Sequence, residues 1–280
     1  MTRRHFWSEG RIGGAITNCE NGVINMNYLV IWKDFKVFYG SHSRTVNEHS
    51  HPVIQWVFAI RDRFLSKDDS GNWVPKKGLL IAPNCPHECD ASNIPIISVQ
   101  IDPESSLGEW IMSNQLNDQL IIDYPSKDIV SVDTNRFSDH IVHEDWPALR
   151  ALIETAFGFR KATPVFQKDK RIQDVVAFIS KNIGQEIHSE TLAEVACLSE
   201  SRLLHLFKEE MGLPIRNYIL WLRLQIVIEL MLEGQSLTTA SHEAGFSDQA
   251  HLTRTFSNMI GVPPSLISKH SRFVQVSTPG

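Results

Sequence analysis

The sequence has no excess of positive charge, few cysteines and no long apolar run. Its formal net charge is −5, so bulk charge gives no support to nucleic-acid binding, and any such function must come from the positions of individual cations. Four cysteines in 280 residues are too few for a disulfide framework, which favours a reducing compartment. No apolar run approaches the roughly 20 residues of a membrane span, and none follows the basic start MTRRHFW. We expect a cytoplasmic globular protein with no membrane partner.

The pattern of the chain changes near residues 159–168, which predicts two regions. In the first region, short runs rich in β-branched and aromatic residues alternate with turns such as KDDSGN, which predicts strands to about residue 104. Residues 105–158 are predicted to be helical. The clearest helix there has one apolar stripe, formed by Leu149, Leu152, Ile153 and Phe157. This stripe would either cover the β structure or meet a second copy of the chain.

From residue 169 onward the periodicity is helical, and one pattern occurs twice, in LAEVACLSESRLLHLFKEEMGLP and in TASHEAGFSDQAHLTRTFSNMIGVP. Each copy has a short helix of small residues, an apolar turn residue, a Ser and a second helix with Leu and Phe four residues apart. A Gly and then a Pro end each copy. Two helices joined by a tight turn form a helix-turn-helix, whose second helix can lie in a major groove.

A long helix, predicted from Pro214 to about Glu233, joins the two copies. It spans roughly 27–30 Å, which is close to the ~34 Å between successive major-groove faces on one side of a duplex. Ser189, just before the first copy, and Ser199 within it are predicted to cap the two short helices at their N-termini, and Gly212 to end the second. The tandem arrangement is a much stronger signal for DNA binding than a single helix pair.

Two stretches, LSESRLLHLFKEEMGLPIRNYILWLRL and HEAGFSDQAHLTRTFSNMIGVPPS, resemble the AraC/XylS-type transcription regulators, and the resemblance covers about residues 170–268. It implies two helix-turn-helix units joined to an effector or dimerisation domain, a structural role for Arg223, and RNA polymerase as a partner. It also implies that the protein is not an enzyme. Ala240 and Ser241 depart from the family, which usually has a larger apolar residue followed by Ala, so looser packing is expected there.

Alignment with the family motif places the base-contacting positions on the exposed face of each second helix. The predicted DNA-binding residues are Ser201, Leu204, His205 and Lys208 in the first unit and Gln249, Ala250, His251 and Arg254 in the second. Arg202 and Arg216 are predicted phosphate contacts, which set register without reading sequence. Arg254 is the clearest candidate, because its planar fork can bond O6 and N7 of guanine together. The alternative for each residue is an ordinary solvated helix face.

Three histidines are the main candidates for a site in the first region. His49 and His51 are two residues apart, so in a strand they would face the same way. Together with His87 they resemble the histidines of the two cupin-barrel motifs, which bind a metal ion in some cupins. Gln55 stands in the segment where those cupins often have Glu, which weakens the metal interpretation. Cys85 and Cys89 flank His87 and leave a thiolate site open.

We therefore predict an α+β two-domain chain. Residues 1–158 form an all-β cupin-like barrel with following helices, 159–168 a linker, and 169–275 an all-α tandem helix-turn-helix domain. The predicted function is that of a sequence-specific transcription regulator that binds double-stranded DNA. A small effector is predicted to control it, and a homodimer is a further hypothesis. The predicted effector-binding residues are His49, His51, Trp56, Phe58 and His87.

No cofactor is expected, and the alternative is a metal ion on His49, His51 and His87. Two other functions stay open. One is a metal-dependent cupin enzyme whose helical region is a passenger, and the other is a DNA-binding regulator that needs no ligand.

Overall fold

The computed structural model describes residues 27–41, 45–127, 129, 131–159, 168–261, 263–266 and 271–275. Most of the predicted linker and Cys19 lie outside these residues. The described strands are β1 Asn27–Ile31, β2 Phe35–Gly40, β3 Val46–His49, β4 Ile54–Ala59, β5 Phe64–Lys67, β6 Trp73–Lys76, β7 Gly78–Ile81, β8 His87–Asp90, β9 Ile96–Ile101, β10 Ile121–Tyr124 and β11 Ser271–Gln275.

The strands form two sheets. The larger has the order β10-β7-β4-β9-β2-β1-β11, and the smaller has the order β3-β8-β5-β6. Apolar side chains of β4 and β7 pack with Phe64 of β5, which joins the two sheets through a shared core. The predicted α+β class is confirmed, but within the described residues the β region is built from two sheets and not from one closed barrel.

Helices cover the other face of the larger sheet. They are α1 Ser106–Ile111, continued by a π-helical turn at Met112–Leu116, α2 Thr134–Val142 and α3 Trp146–Ala156. Leu149 and Ile153 of α3 are completely buried, and the Phe157 ring lies 4.9 Å from that of Trp56, measured between centroids. The apolar stripe at 149–157 therefore covers the sheet. A homodimer stays a prediction, without this stripe as its support.

The C-terminal region contains α4 Lys170–Asn182, α5 Ser189–Val195, α6 Glu200–Met211, α7 Ile215–Leu232, α8 Leu237–Glu243 and α9 Gln249–Ile260. The pairs α5–α6 and α8–α9 are the two helix-turn-helix units, and α7 connects them. Each unit has its own apolar core, with Leu203 and Phe207 completely buried in the first and Leu252 and Phe256 in the second. The internal repeat in the sequence is thus a repeat in the structure.

Helix ends in this region follow the sequence signals with one exception. The Ser199 side chain accepts a hydrogen bond from the backbone N–H of Arg202, and Gly212 ends α6 at φ 71°. The predicted cap at Ser189 is wrong, because His188 occupies the N-cap position of α5. The Ser189 hydroxyl instead donates to a Glu200 carboxylate oxygen at 2.6 Å, which ties the first helix of the unit to the second.

Arg223, in the middle of α7, ties this helix to the loop between α4 and α5. Its Nε donates to the carbonyl oxygen of Ile183 at 3.2 Å, and its Nη2 to that of Gln185 at 2.8 Å. A Cβ at Gly245, where φ is 80°, would lie 3.2 Å from the guanidinium. The structural role that the family resemblance implies for Arg223 is confirmed by these bonds, and Gly245 leaves room for them.

The two regions touch at several places. Asn84 Nδ2 donates to the carbonyl oxygen of Gly212 at 3.2 Å, and the backbone N–H of Asn47 donates to that of Gly261 at 3.3 Å. β11 pairs in parallel with β1, with Leu29 opposite Phe273. By this pairing the last described strand extends the N-terminal sheet. The predicted all-α region 169–275 and the predicted helical segment 105–158 are therefore wrong at β11 and β10, because each of these strands pairs with a strand distant in sequence.

Candidate functional site

The predicted reading face of α6 is accessible. Ser201, Leu204, His205 and Lys208 are all exposed, and Leu204 exposes 43% of its surface, although Leu203 beside it is fully buried. The carboxylate of Glu200, which would repel a phosphate, is held by Ser189. A half-exposed Leu at this place can contact a thymine methyl group. The face therefore offers apolar, hydroxyl, imidazole and cationic groups together.

The corresponding face of α9 carries Gln249, Ala250 and Arg254 as exposed residues, with His251 half-buried. Gln249 Oε1 accepts from the Thr238 hydroxyl at 3.0 Å, which fixes its amide. The Arg254 side chain makes no hydrogen bond or ion pair with any residue that the structure describes. Its guanidinium is free to bond the edge of a guanine.

The predicted phosphate contacts, Arg202 and Arg216, are both exposed. Arg202 lies in the first turn of α6 and Arg216 in the first turn of α7. The positive end of a helix dipole lies at each of these places, and it favours an anion there. The structure is compatible with both contacts, which stay predictions.

Ser241 is the place where the chain departs from the family pattern, and it lies in the core of the second unit. It is 1% exposed, and its hydroxyl has no hydrogen-bond partner among the described residues. Ser241→Ala should raise the free energy of unfolding by about 1 kcal/mol, because it removes an unpaired buried polar group. Urea denaturation of the full chain measures this. Ser180→Ala, at an exposed position of α4, is the control, and a less stable Ser241→Ala chain would contradict the prediction.

In the N-terminal region, His49, His51 and His87 form a buried cluster, with 7%, 2% and 6% of their surfaces exposed. Their ring centroids lie 4.2 to 5.5 Å apart, and one ring nitrogen from each can be chosen so that all lie within 4.8 Å of one another. The convergence that the sequence predicted for the HxH pair is observed, although β3 ends at His49 and His51 lies just beyond it.

Each of these rings is oriented by a backbone carbonyl. The Nδ1 atoms of His49, His51 and His87 lie 2.9, 3.0 and 2.9 Å from the carbonyl oxygens of Asn47, Val53 and Cys85. Burial, reinforced for two of them by the neighbouring histidines, lowers the pKa of His49 to about 4 and of His87 to about 2, and burial also lowers the pKa of His51. The rings are therefore neutral, with hydrogen on Nδ1 and a lone pair on Nε2.

A cavity of about 190 Å³ adjoins the cluster, with His49, His87 and Gln55 in its wall. Trp56 and Phe58, which the sequence assigned to the effector pocket, are not in this wall. They lie on the opposite face of β4, where Trp56 packs against Tyr124 and Phe157 beneath the helices. Successive side chains of a strand point to opposite faces, so Gln55 faces the cavity and Trp56 faces away from it.

The two cysteines beside His87 do not offer thiolates. Burial raises the pKa of the Cys85 thiol and raises that of Cys89 to about 11. Cys89 Sγ lies 3.7 Å from the Ser66 hydroxyl oxygen, and Cys85 Sγ lies 3.6 Å from the carbonyl oxygen of Pro86. Among the described residues neither sulfur atom joins the convergent group of ring nitrogens, so the thiolate site that the sequence left open does not form with the histidines.

Lys36 is a functional candidate that the sequence did not indicate. Burial lowers the pKa of its ammonium to about 8, against the opposing attraction of Glu229 and Asp102. The ammonium has no hydrogen-bond partner among the described residues. Lys36 lines the cavity beside the histidines and also a larger one of about 620 Å³, which lies between the N-terminal region and α7. An ammonium placed there can bind an anionic group.

Comparison with known proteins agrees with this architecture. Residues 192–270 match the helix-turn-helix domain family. The chain is 22% identical over 238 residues to the probable transcriptional regulator LumQ of Photobacterium leiognathi, covering 82% of this chain and 94% of LumQ. It is 29% identical over 99 residues to the arabinose operon regulatory protein of Salmonella typhimurium, 35% of each chain, so it spans about a third of that relative.

ToxT from Vibrio cholerae has a similar fold. One of its structures has a TM-score of 0.53 at 15% identity, covering 84% of this chain and 96% of ToxT. Another, with a bound unsaturated fatty acid, has a TM-score of 0.50 at 12% identity, covering 86% and 96%. The C-terminal region is therefore an AraC-type helix-turn-helix domain, and the chain has the architecture of a DNA-binding transcription regulator. None of the described helices has the length and apolar character of a membrane span.

Proposed function

We propose that the chain reads two neighbouring DNA boxes with α6 and α9, and that a small molecule in the N-terminal region sets its affinity for them. This proposal rests on the two faces of each second helix, one buried in the core of its unit and the other exposed. In α9, Leu252 and Phe256 are completely buried, whereas Arg254 is exposed and unpaired among the described residues. We extend the proposal to a cytoplasmic location, RNA polymerase as a partner and the absence of catalytic activity, which the family resemblance implies.

The cavity beside the histidines supports control by an effector. Its wall includes Gln225 and Ile228 of α7 and Ile260 of α9 as well as strand residues. A molecule in this cavity would therefore touch the helices that connect and form the DNA-binding units. Such a ligand changes DNA affinity only if it binds one arrangement of the two regions better than another. Lys36 favours an effector with an anionic group, and the fatty acid in the ToxT structure makes an unsaturated fatty acid the first probe.

The proposal is tested by selecting bound fragments from random double-stranded DNA at about 150 mM salt, near physiological ionic strength. Wild type should enrich two boxes about one helical turn apart. Arg254→Ala should lose its preference at one base pair within one box, by a factor of about 5 to 150, because one bidentate guanine contact is worth about 1–3 kcal/mol. Overall binding should persist through the other contacts.

Arg171→Ala is a charge-matched control, because Arg171 is exposed and paired with Asp169 at the start of α4. It should leave the selected sequence unchanged. Enrichment of no motif, with and without the fatty acid, would overturn the proposal. If the fatty acid never changes the result while two boxes are enriched, the regulator that needs no such ligand is favoured instead.

A further inference from the structure

We propose that the Nε2 atoms of His49, His51 and His87, together with the side-chain oxygen of Gln55, bind one divalent first-row transition-metal ion, and that this ion acts on the DNA-binding helices. The ion site does not rest on the proposed function, whereas its effect on DNA binding does.

Each of the three rings has the orientation that is typical of a metal-binding histidine. Metal-binding histidines typically donate their second ring N–H to a carbonyl or carboxylate, which fixes the tautomer and the ring orientation. Here every Nδ1 faces a backbone carbonyl oxygen at 2.9 or 3.0 Å, so the three Nε2 lone pairs remain for a ligand.

One of these nitrogens is buried without any partner. His87 Nε2 makes no hydrogen bond within the part of the chain that the structure describes, and the residue is 6% exposed. A buried polar atom left unpaired is costly, so such an atom points to a missing partner. A partner of this nitrogen would lie among three imidazoles, where a ligand that accepts several lone pairs at once fits best. A metal ion does so.

His51 and Gln55 lead to the same conclusion. His51 Nδ1 faces the carbonyl oxygen of Val53, and its Nε2 lies 3.0 Å from Gln55 Oε1. A neutral imidazole has one N–H, so both atoms of the second contact are acceptors. Gln55 Nε2 donates to the Ser98 hydroxyl at 3.0 Å, and with the amide in this orientation its oxygen faces His51. Two ligands at about 2.1 Å from one ion, at a right angle, would lie about 3 Å apart.

The ligand set also defines the class of ion. Three imidazole nitrogens and one amide oxygen suit zinc, nickel, cobalt or ferrous iron, whereas magnesium and calcium prefer sites made of oxygen alone. Among the described residues the convergent ligand atoms come from the three histidines, and no cysteine Sγ atom joins them. The set contains no negative charge, so the bound ion keeps its full positive charge and can attract an anion into the adjoining cavity.

The cluster lies directly beneath the second helix-turn-helix unit. At Gly261, which ends α9, a Cβ atom would lie 2.3 Å from a Val46 methyl carbon and 2.8 Å from His49 Nδ1. The carbonyl oxygen of Gly261 also accepts the N–H of Asn47 in β3. The His51 ring lies 6.3 Å from that of Trp221 in α7. A shift of His49 or His51 on binding an ion would therefore reach both α9 and α7.

The ion site is tested with the full chain, carrying no histidine tag and stripped of metal. Titration with Co²⁺, followed by its visible absorption, should give one ion per chain for wild type. His49→Gln and His87→Gln should weaken binding at least about tenfold, because each loses a ligand nitrogen. Gln55→Glu should tighten it, since a carboxylate replaces an amide, whereas an amide that merely donates to His51 predicts no such gain.

His143→Ala is the matched control, because His143 is exposed and far from the cluster in sequence, and it should bind Co²⁺ like wild type. Circular dichroism confirms that each variant is folded. Absence of a stoichiometric Co²⁺ signal from folded wild type overturns the site. An equal loss of the signal from folded His143→Ala overturns it as well.

The effect on DNA is measured separately, by repeating the DNA selection with stripped and with Zn²⁺-loaded chain. A change in DNA affinity that disappears in folded His87→Gln supports coupling between the ion and α9. Equal DNA affinity with and without Zn²⁺ overturns the coupling and leaves the ion site standing. If no DNA motif is selected in any state, the proposed function fails, while the Co²⁺ titration still decides the site.

Discussion

Phe256→Ala should lower the free energy of unfolding by about 3–5 kcal/mol, the cost of emptying the site of a fully buried Phe. Phe256 is completely buried in α9, in the core that α9 shares with α7 and α8. Because the same ring sets the position of the exposed face of α9, the folded variant should lose discrimination in the second DNA box. Urea denaturation of the full chain and the DNA selection described above measure the two effects.

The exposed neighbour Asn258 provides the control, since Asn258→Ala removes surface atoms only and should change stability by less than about 0.5 kcal/mol. Phe207→Ala is the matched change in the first unit, where the Phe ring lies 5.5 Å from that of Tyr218. It should impair the first box and spare the second. Loss of both boxes in each variant would contradict the assignment of one box to each unit.

Lys36→Met should make the protein more stable at neutral pH, by roughly 2–3 kcal/mol. The pKa of Lys36 falls from 10.5 to about 8 in the fold because burial disfavours the ammonium. Between these two values the unfolded chain binds more protons than the folded one, so wild-type stability rises with pH across that window. Below about pH 8 the folded chain bears the full free-energy cost of burying the Lys36 ammonium, and Lys36→Met removes this cost. Unfolding measured from pH 7 to pH 10.5 should show the two chains converging.

Lys33→Met controls for the loss of one surface charge, because Lys33 is exposed in the turn between β1 and β2. It should show no gain that is specific to neutral pH. Glu229 and Asp102 attract the ammonium, and if this attraction outweighs burial, Lys36→Met will be less stable than wild type. Lys36→Met should also weaken the binding of a fatty acid, and unchanged binding would mean that the anionic group lies elsewhere.

The helical half of the fold was predictable because its signals are local. A Ser before α6, a Gly after it, and Leu and Phe four residues apart are enough to define the helix, its ends and its buried face. The exposure of the residues that are predicted to contact DNA follows from the same pattern, as Arg254 shows. Ser189 was misassigned because a serine at a helix start can cap the backbone or bond another side chain, and only the position of Glu200 decides between them.

The β half was less predictable because its contacts are not local. The HxH spacing indicated that His49 and His51 would converge, but Trp56 and Phe58 were assigned to the wrong face of β4. Lys36 alternates with buried residues in FKVFYG and therefore resembles a solvated position. It is covered by elements far along the chain, including Glu229 of α7, and no pattern within the strand indicates this. The pairing of β11 with β1 is equally remote in sequence.

That last pairing has a mechanical consequence. The helix-turn-helix units follow the N-terminal region in the chain, and after them the backbone returns to the same sheet through β11. The helix-turn-helix units are thus attached to the N-terminal region at both of their ends, and this double attachment restricts their rotation relative to it. A ligand in the N-terminal region could then tilt or slide the units by small amounts, whereas separating them widely would require β11 to leave the sheet. Detachment of β11 would leave the helix-turn-helix units attached to the N-terminal region at one end only, free to move over a wide range.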